Sequence, residues 1–203
     1  MPELTLVVAS ANPDKAAEIN AILGVVPGLV LVARPTDVPD VEETGDTLEE
    51  NARLKARALC EATGLAAVAD DTGLEVDALD GAPGVYSARF AGEDATYGDN
   101  VAKMLDELQR AGATDAAARR AKFRSVAFIA YPDGSELWVD GEVAGTITVT
   151  ARGQAGFGYD PIFAPDGYDG RTFAEMSAEE KHAVSHRGRA FRNLAERLGA
   201  SGR

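Results

Sequence analysis

The chain has little of what would mark it for an oxidising compartment or a membrane. One cysteine, Cys60, among 203 residues excludes a disulfide framework and any cysteine-based zinc site. No apolar run reaches the roughly 18 residues of a membrane span, and the opening MPELTLVVAS has neither a basic n-region nor a long h-region. Cytoplasm is the expected location. Basic residues are also scarce: 20 Lys and Arg against 33 Asp and Glu leave a net charge of −13. Duplex nucleic acid and anionic membrane bind through basic patches and are therefore not expected partners. A small polyanion stays compatible with such a surface if a metal ion and a few lysines make a local positive site. Hydrophobic residues at 45% and charged residues at 26% suit a globular protein, and one domain over residues 1–203 is expected.

What is present is an alternation of apolar runs and helical patterns. LTLVVA at 4–9 reads as a buried strand. Asn12 and Pro13 then open a helix through Ile19, Ile22 and Leu23 that stops at Gly24. Residues 29–33 read as a second strand. Thr47 and Glu50 have capping-box spacing before a helix whose face carries Leu48, Ala52, Ala56 and Leu59 and which stops at Gly64. LAAVA at 65–69 reads as a third strand ending in Asp70 and Asp71. This β-α-β-α-β order favours an α/β sheet. A helix near 96–111 follows, then hairpin-joined strands in KFRSVAFIAYP and ELWVDGEVAGTITVT, the glycine-rich loop RGQAGFGYDPIF, a Ser177/Glu180 capping box and a closing helix ending at Gly199. The tail GASGR reads as disordered.

Five stretches carry residues suited to chemistry. In SANPDK, Ser10 and Asn12 can donate to an anion at a helix N-terminus, and Lys15 puts a full charge where the helix dipole disfavours it. EETGDTLEENARLK supplies Glu42 and Glu43 in a loop, then Asn51 and Lys55 one turn apart. Asp70 and Asp71 stand at an expected strand end, where α/β sheets gather ligands. A helix cap accounts for one such acid and not for two, whereas hard carboxylate oxygens suit Mg²⁺ with waters and phosphates as its other ligands. GFGYDP offers Phe157, Tyr159 and Asp160; read alone, it is a tight loop packing Phe157 into the core, and its spacing is not a dinucleotide fingerprint. EEKHAVSHRG gathers Lys181, His186 and Arg187 before the last helix. His182 and His186 are four apart, but no third ligand completes a zinc pattern.

Taken together and in this order, SANPDK, EETGDTLEENARLKA, ADDTGLEVDALDGAPGVYSARFAGEDAT, GFGYDPIF and EEKHAVSHRG resemble the inosine triphosphate pyrophosphatase family over nearly the whole chain. Ser10 and Ala11 stand where the family more often has Thr and Gly, and Thr72 where serine is common. The resemblance implies an α/β fold with a long mixed β-sheet flanked by helices, two lobes around a central substrate cleft, and a homodimer. It implies Mg²⁺-dependent hydrolysis of ITP, dITP or XTP to the monophosphate and pyrophosphate, with water attacking the α-phosphorus. By position, Ser10, Ala11, Asn12, Pro13, Asp14 and Lys15 bind the triphosphate, Glu43 and Asp71 hold the metal, and Asp71 accepts the proton. Lys55 and Lys181 contact phosphate, Thr72 lines the substrate site, and Phe157, Gly158, Tyr159, Asp160, His186 and Arg187 recognise the purine. A purine nucleotide-binding module without turnover and a different metal-dependent phosphohydrolase are the alternatives. The second lacks a D-x-D-x-T pattern.

Overall fold

The computed structural model describes residues 4–10 and 12–201, and the side chains of all of these but the last two. Ala11, expected in the anion turn, lies outside the described residues. Strands β1 (Leu4–Val8), β2 (Leu29–Ala33), β3 (Ala66–Val76), β4 (Pro83–Gly84), β5 (Arg120–Ala130), β6 (Glu136–Ile147) and β7 (Phe163–Pro165) form one seven-stranded sheet. Its order is β2-β1-β3-β5-β6-β7, with β4 on β3. β1 runs parallel to β2 and β3, while β3 with β4 and β6 with β7 pair antiparallel. The sheet is therefore mixed, and it is flanked by helices α1 (Pro13–Leu23), α2 (Leu48–Thr63), α3 (Tyr97–Arg110), α4 (Ala178–Val184) and α5 (His186–Ser201).

The chain divides into two compact units. The first comprises 1–71, 125–141 and 186–203; the second comprises 72–124 and 142–185. In the first, Leu6, Val8, Ile19, Leu23, Val68, Ile129, Phe191 and Leu194 make a core in which α1 and α5 cover β1, β3 and β5. In the second, Leu74, Met104, Leu108, Phe123, Ile147, Phe163 and Phe173 do the same for α3 and the strand segments of that unit. Phe123 and Phe163 meet edge to face at 4.7 Å, a favourable arrangement for two ring quadrupoles.

The caps lie where the sequence places them. Asn12 Oδ1 accepts from the Asp14 and Lys15 amides at 2.9 and 3.2 Å, and reciprocal boxes start α2 at Thr47/Glu50 and α4 at Ser177/Glu180. Three expectations need correction. The aspartate pair lies inside β3, an eleven-residue strand, and not at its end. The strand that ends there is β1, whose ladder on β3 finishes at Val8 opposite Val68, so the sheet loses a neighbour just before the acids. His186 and Arg187 begin α5 rather than precede it. That helix also passes Gly199 to Ser201, so residues 199–201 of the tail are helical.

Candidate functional site

The first unit gathers charge from sequence-distant elements. α1 delivers Lys15 and Glu18, the loop before α2 delivers Glu43, α2 delivers Lys55, β3 delivers Asp70 and Asp71, and the start of α5 delivers His186 and Arg187. Asp70 is buried, with Lys15 Nζ 3.8 Å from its Oδ2. Arg187 donates from Nε and Nη2 to that same oxygen at 3.0 Å, and from Nη1 to Glu18 Oε2 at 2.6 Å. Burial alone would raise the Asp70 carboxyl, but the charges of Lys15, Arg187 and Lys55 overcome it and hold the group well below the usual carboxylate range.

Asp71 has the opposite balance. Its Oδ1 accepts from Lys55 Nζ at 2.7 Å, and the same ammonium donates to Glu43 Oε1 at 2.8 Å. Burial raises the Asp71 carboxyl above its ordinary value despite Lys55 and Lys15, and the nearby Glu43 charge adds to the rise. Lys55 is raised, its own burial outweighed by Asp71, Glu43 and Asp70, whereas burial lowers Lys15 against the pull of Asp70. Two adjacent carboxylates are thus driven apart, one fixed as an anion and one left easier to protonate.

The second unit gathers a different set. Asp160 is buried, and its Oδ2 accepts from Lys181 Nζ at 2.6 Å and from the Phe157 amide at 2.8 Å. The Lys181 ammonium lies 4.6 Å from the centre of the half-buried Phe157 ring, within cation–π range, and Tyr97 packs on that ring at 5.9 Å. Gly156 adopts φ +74°, and a Cβ there would stand 2.0 Å from Asp160 Oδ2, so the loop closes on this carboxylate only with glycine. Tyr159 turns into the core and donates from its hydroxyl to Ser87 O at 2.9 Å. Thr72, the first residue of this unit, is half-buried within β3.

Of the residues expected to bind phosphate, Lys15 and Lys55 share the carboxylate cluster of the first unit, while Lys181 is held by Asp160 beside Phe157 in the second. Ser10 is half-buried at the turn, where its hydroxyl donates to Asn12 O at 3.2 Å; Pro13 and Asp14 are exposed. Arg187, expected to read a purine, is engaged by Glu18 and Asp70. Glu18 itself escapes sequence reasoning: nothing in PDKAAEINAIL distinguishes it from a solvated helix glutamate, yet it is 8% exposed.

Whether this set suits a divalent cation can be judged from its donors. Among the described residues, no group of three or more His, Cys, Asp or Glu side chains converges to hold an ion. Mg²⁺ does not require one, since it commonly takes one or two carboxylates and completes its shell with water and substrate phosphate. Glu43 and Asp71 already share one cation, the Lys55 ammonium, and Asp71 Oδ2 is buried without a hydrogen-bond partner. The residues fit a hard cation.

The model of the Ham1 family matches residues 6–197. The chain belongs to the Ham1 family. It is 50% identical over 192 residues to the dITP/XTP pyrophosphatase of Streptomyces avermitilis, covering 93% of this chain and 94% of that one. The dITP/XTP pyrophosphatase of Brucella melitensis is 47% identical over 203 residues, covering 95% of this chain and 92% of its own. Among solved structures, a HAM1 protein from Coxiella burnetii superposes with TM-score 0.87 at 40% identity, covering 97% and 99% of the two chains. The resemblance drawn from the five motifs and the mixed α/β fold are both borne out.

Proposed function

We propose that this Ham1 protein is a pyrophosphatase for deaminated purine nucleoside triphosphates. It takes ITP, dITP or XTP and water to the nucleoside monophosphate and pyrophosphate, and so removes these nucleotides before polymerases use them. The observation that carries the reading is the Lys55 ammonium held between Glu43 and Asp71, with the second oxygen of Asp71 buried and unengaged. Its relatives' names point the same way.

Glu43 and Asp71 would hold Mg²⁺, which when bound would supply electrophilic stabilisation of charge developing on phosphoryl oxygens. Asp71 accepts the proton of the water that attacks the α-phosphorus, and the bond from that phosphorus to the bridging oxygen of the β-phosphate breaks. Lys15 and Lys55 offset charge on the departing pyrophosphate, and the turn that opens α1 binds the triphosphate at the positive end of that helix. The Phe157 loop, fixed by Asp160 and Lys181, stacks on the purine, and His186 and Arg187 read its 6-oxo group. The working protein is a cytoplasmic homodimer.

Pyrophosphate release measured over ITP, dITP, XTP, ATP and GTP, with and without Mg²⁺, tests the reading. Turnover of the three deaminated substrates at least a hundredfold above ATP, only with the divalent ion, is expected. Tight inosine triphosphate binding without release would identify a binding module instead.

A further inference from the structure

The segment that brings Glu43 to the site has no regular secondary structure from residue 34 to the start of α2, yet its carboxylate must meet Lys55 reproducibly. The first turn of α2 provides the means. Asn51, 1% exposed and one turn before Lys55, accepts the Gly45 amide on Oδ1 at 2.8 Å. Glu50 Oε2 accepts the Asp46 and Thr47 amides at 2.8 and 3.2 Å. Three consecutive amides, beginning two residues beyond Glu43, are thus captured by neighbouring side chains of one helix.

The glycine is part of the fit. Its φ is not in the left-handed region, so any residue could adopt the backbone. A Cβ there, however, would lie 2.6 Å from Glu50 Cβ and 2.8 Å from Asn51 Oδ1, closer than real Cβ contacts. Glu50 is accounted for by its capping box. The buried Asn51 amide is not needed as a cap, and its oxygen is spent on the loop alone.

We propose that Asn51 is a positioning residue which, by clasping the Gly45 amide, sets Glu43 at the distance from Asp71 that a divalent ion requires. The inference rests on the reading of Glu43 and Asp71 as metal ligands. One helix then fixes Glu43 twice: Lys55 grips the carboxylate directly, and four residues earlier Asn51 grips the backbone that carries it. Lys55 alone cannot define the ligand position once an ion enters, because the ion competes with the ammonium for the same carboxylates. The Asn51 clasp does not compete.

The test compares Asn51→Leu, Asn51→Asp, Gly45→Ala, the double variant Gly45→Ala with Asn51→Leu, and Glu43→Gln. Mn²⁺ is titrated by paramagnetic resonance in the presence of inosine triphosphate with an imido group between its α- and β-phosphorus atoms. Amide exchange at residues 44–47 is followed in parallel. Loss of a group that orients a metal ligand usually weakens metal affinity about 10–100-fold, so Asn51→Leu is expected to weaken Mn²⁺ about tenfold, with kcat largely restored at saturating metal. Asn51→Asp, which keeps the accepting oxygen, stays within about threefold. Gly45→Ala imitates Asn51→Leu, and the double variant loses less than the product of the two, since they break one contact. Exchange at residue 45 speeds up in Asn51→Leu and not in Asn51→Asp. If Glu43→Gln weakens Mn²⁺ while Asn51→Leu leaves it unchanged, the positioning role is overturned and the metal site stands. If Glu43→Gln itself leaves Mn²⁺ unchanged, the reading of the metal site has failed first.

Discussion

The two units hold their candidate site residues by different physics. In the first, Lys15, Arg187 and Lys55 are shared among Asp70, Glu18, Glu43 and Asp71, so each carboxylate is engaged by at least one buried or half-buried cation. In the second, one ion pair, Lys181 with Asp160, fixes a loop whose Phe157 ring packs against the same ammonium. The contrast matters because charge interactions in a low-dielectric site are strong and coupled, whereas ring packing is graded and local. Damage to the first set is expected to spread through rate and folding. Damage to the second should stay confined to substrate choice.

The sharpest way to break this contrast is Asp71→Asn, which keeps shape and removes the charge. Loss of a general base costs about 10²–10⁴-fold in rate, and loss of a metal ligand adds to that. Single-turnover pyrophosphate release should show it, and a rate within a few-fold of the parent would remove Asp71 from the chemistry. Next comes Arg187→Met. Removing one partner of a buried ion pair costs about 3–5 kcal/mol because the remaining charges are stranded, and here both Glu18 and Asp70 lose a donor. Urea unfolding is the measurement. A cost under about 1 kcal/mol, with the ratio of inosine to adenosine triphosphate turnover collapsing, would instead make Arg187 purely a base reader.

In the second unit, Phe157→Ala removes the ring that Lys181 and Tyr97 pack against. Stacking on one base contributes about 1–3 kcal/mol, so KM for inosine triphosphate should rise about tenfold with kcat nearly unchanged. A fall in kcat with KM constant would place Phe157 in folding and not in recognition. The smallest of these effects concerns pH. Burial pushes the Tyr159 hydroxyl above its ordinary value, so its contribution is complete below the unfolded tyrosine pKa near 10 and fades as pH climbs from there toward the folded value. Tyr159→Phe should cost about 1 kcal/mol at pH 7 through the lost bond to Ser87. It should also flatten the decline in stability above pH 10. An unchanged alkaline slope would contradict this assignment.

The sequence made the helix starts legible because caps are local chemistry: Asn12, Thr47 and Ser177 each bond to amides within three residues. The apolar runs likewise marked five of the strands. The aspartate pair was harder to place. Thr72-Gly73 looks like a turn, but the backbone stays extended through it, and what ends near the acids is the neighbouring strand β1, which only tertiary structure reveals. Individual site residues were legible as types, while their partnerships were not. Nothing local tells that Lys181 will pair with Asp160, 21 residues away, or that Arg187 will reach Glu18 across 169. Asn51 was visible one turn from Lys55, yet its task depends on where the Gly45 amide lies.

The Lys55 ammonium between Glu43 and Asp71 also bears on how the first unit folds. A site that waits for a divalent ion usually leaves its acids repelling one another until the ion arrives, which makes folding hostage to metal supply. Here the chain carries its own counter-ion, so the repulsion between the two carboxylates is offset as the unit folds. Unlike a small zinc domain, which unfolds without its metal, this protein is expected to fold without needing a divalent ion. A chelator such as EDTA should therefore silence turnover while leaving the melting temperature where it was, and a melting temperature that dropped with chelation would mean that Lys55 does not play this part.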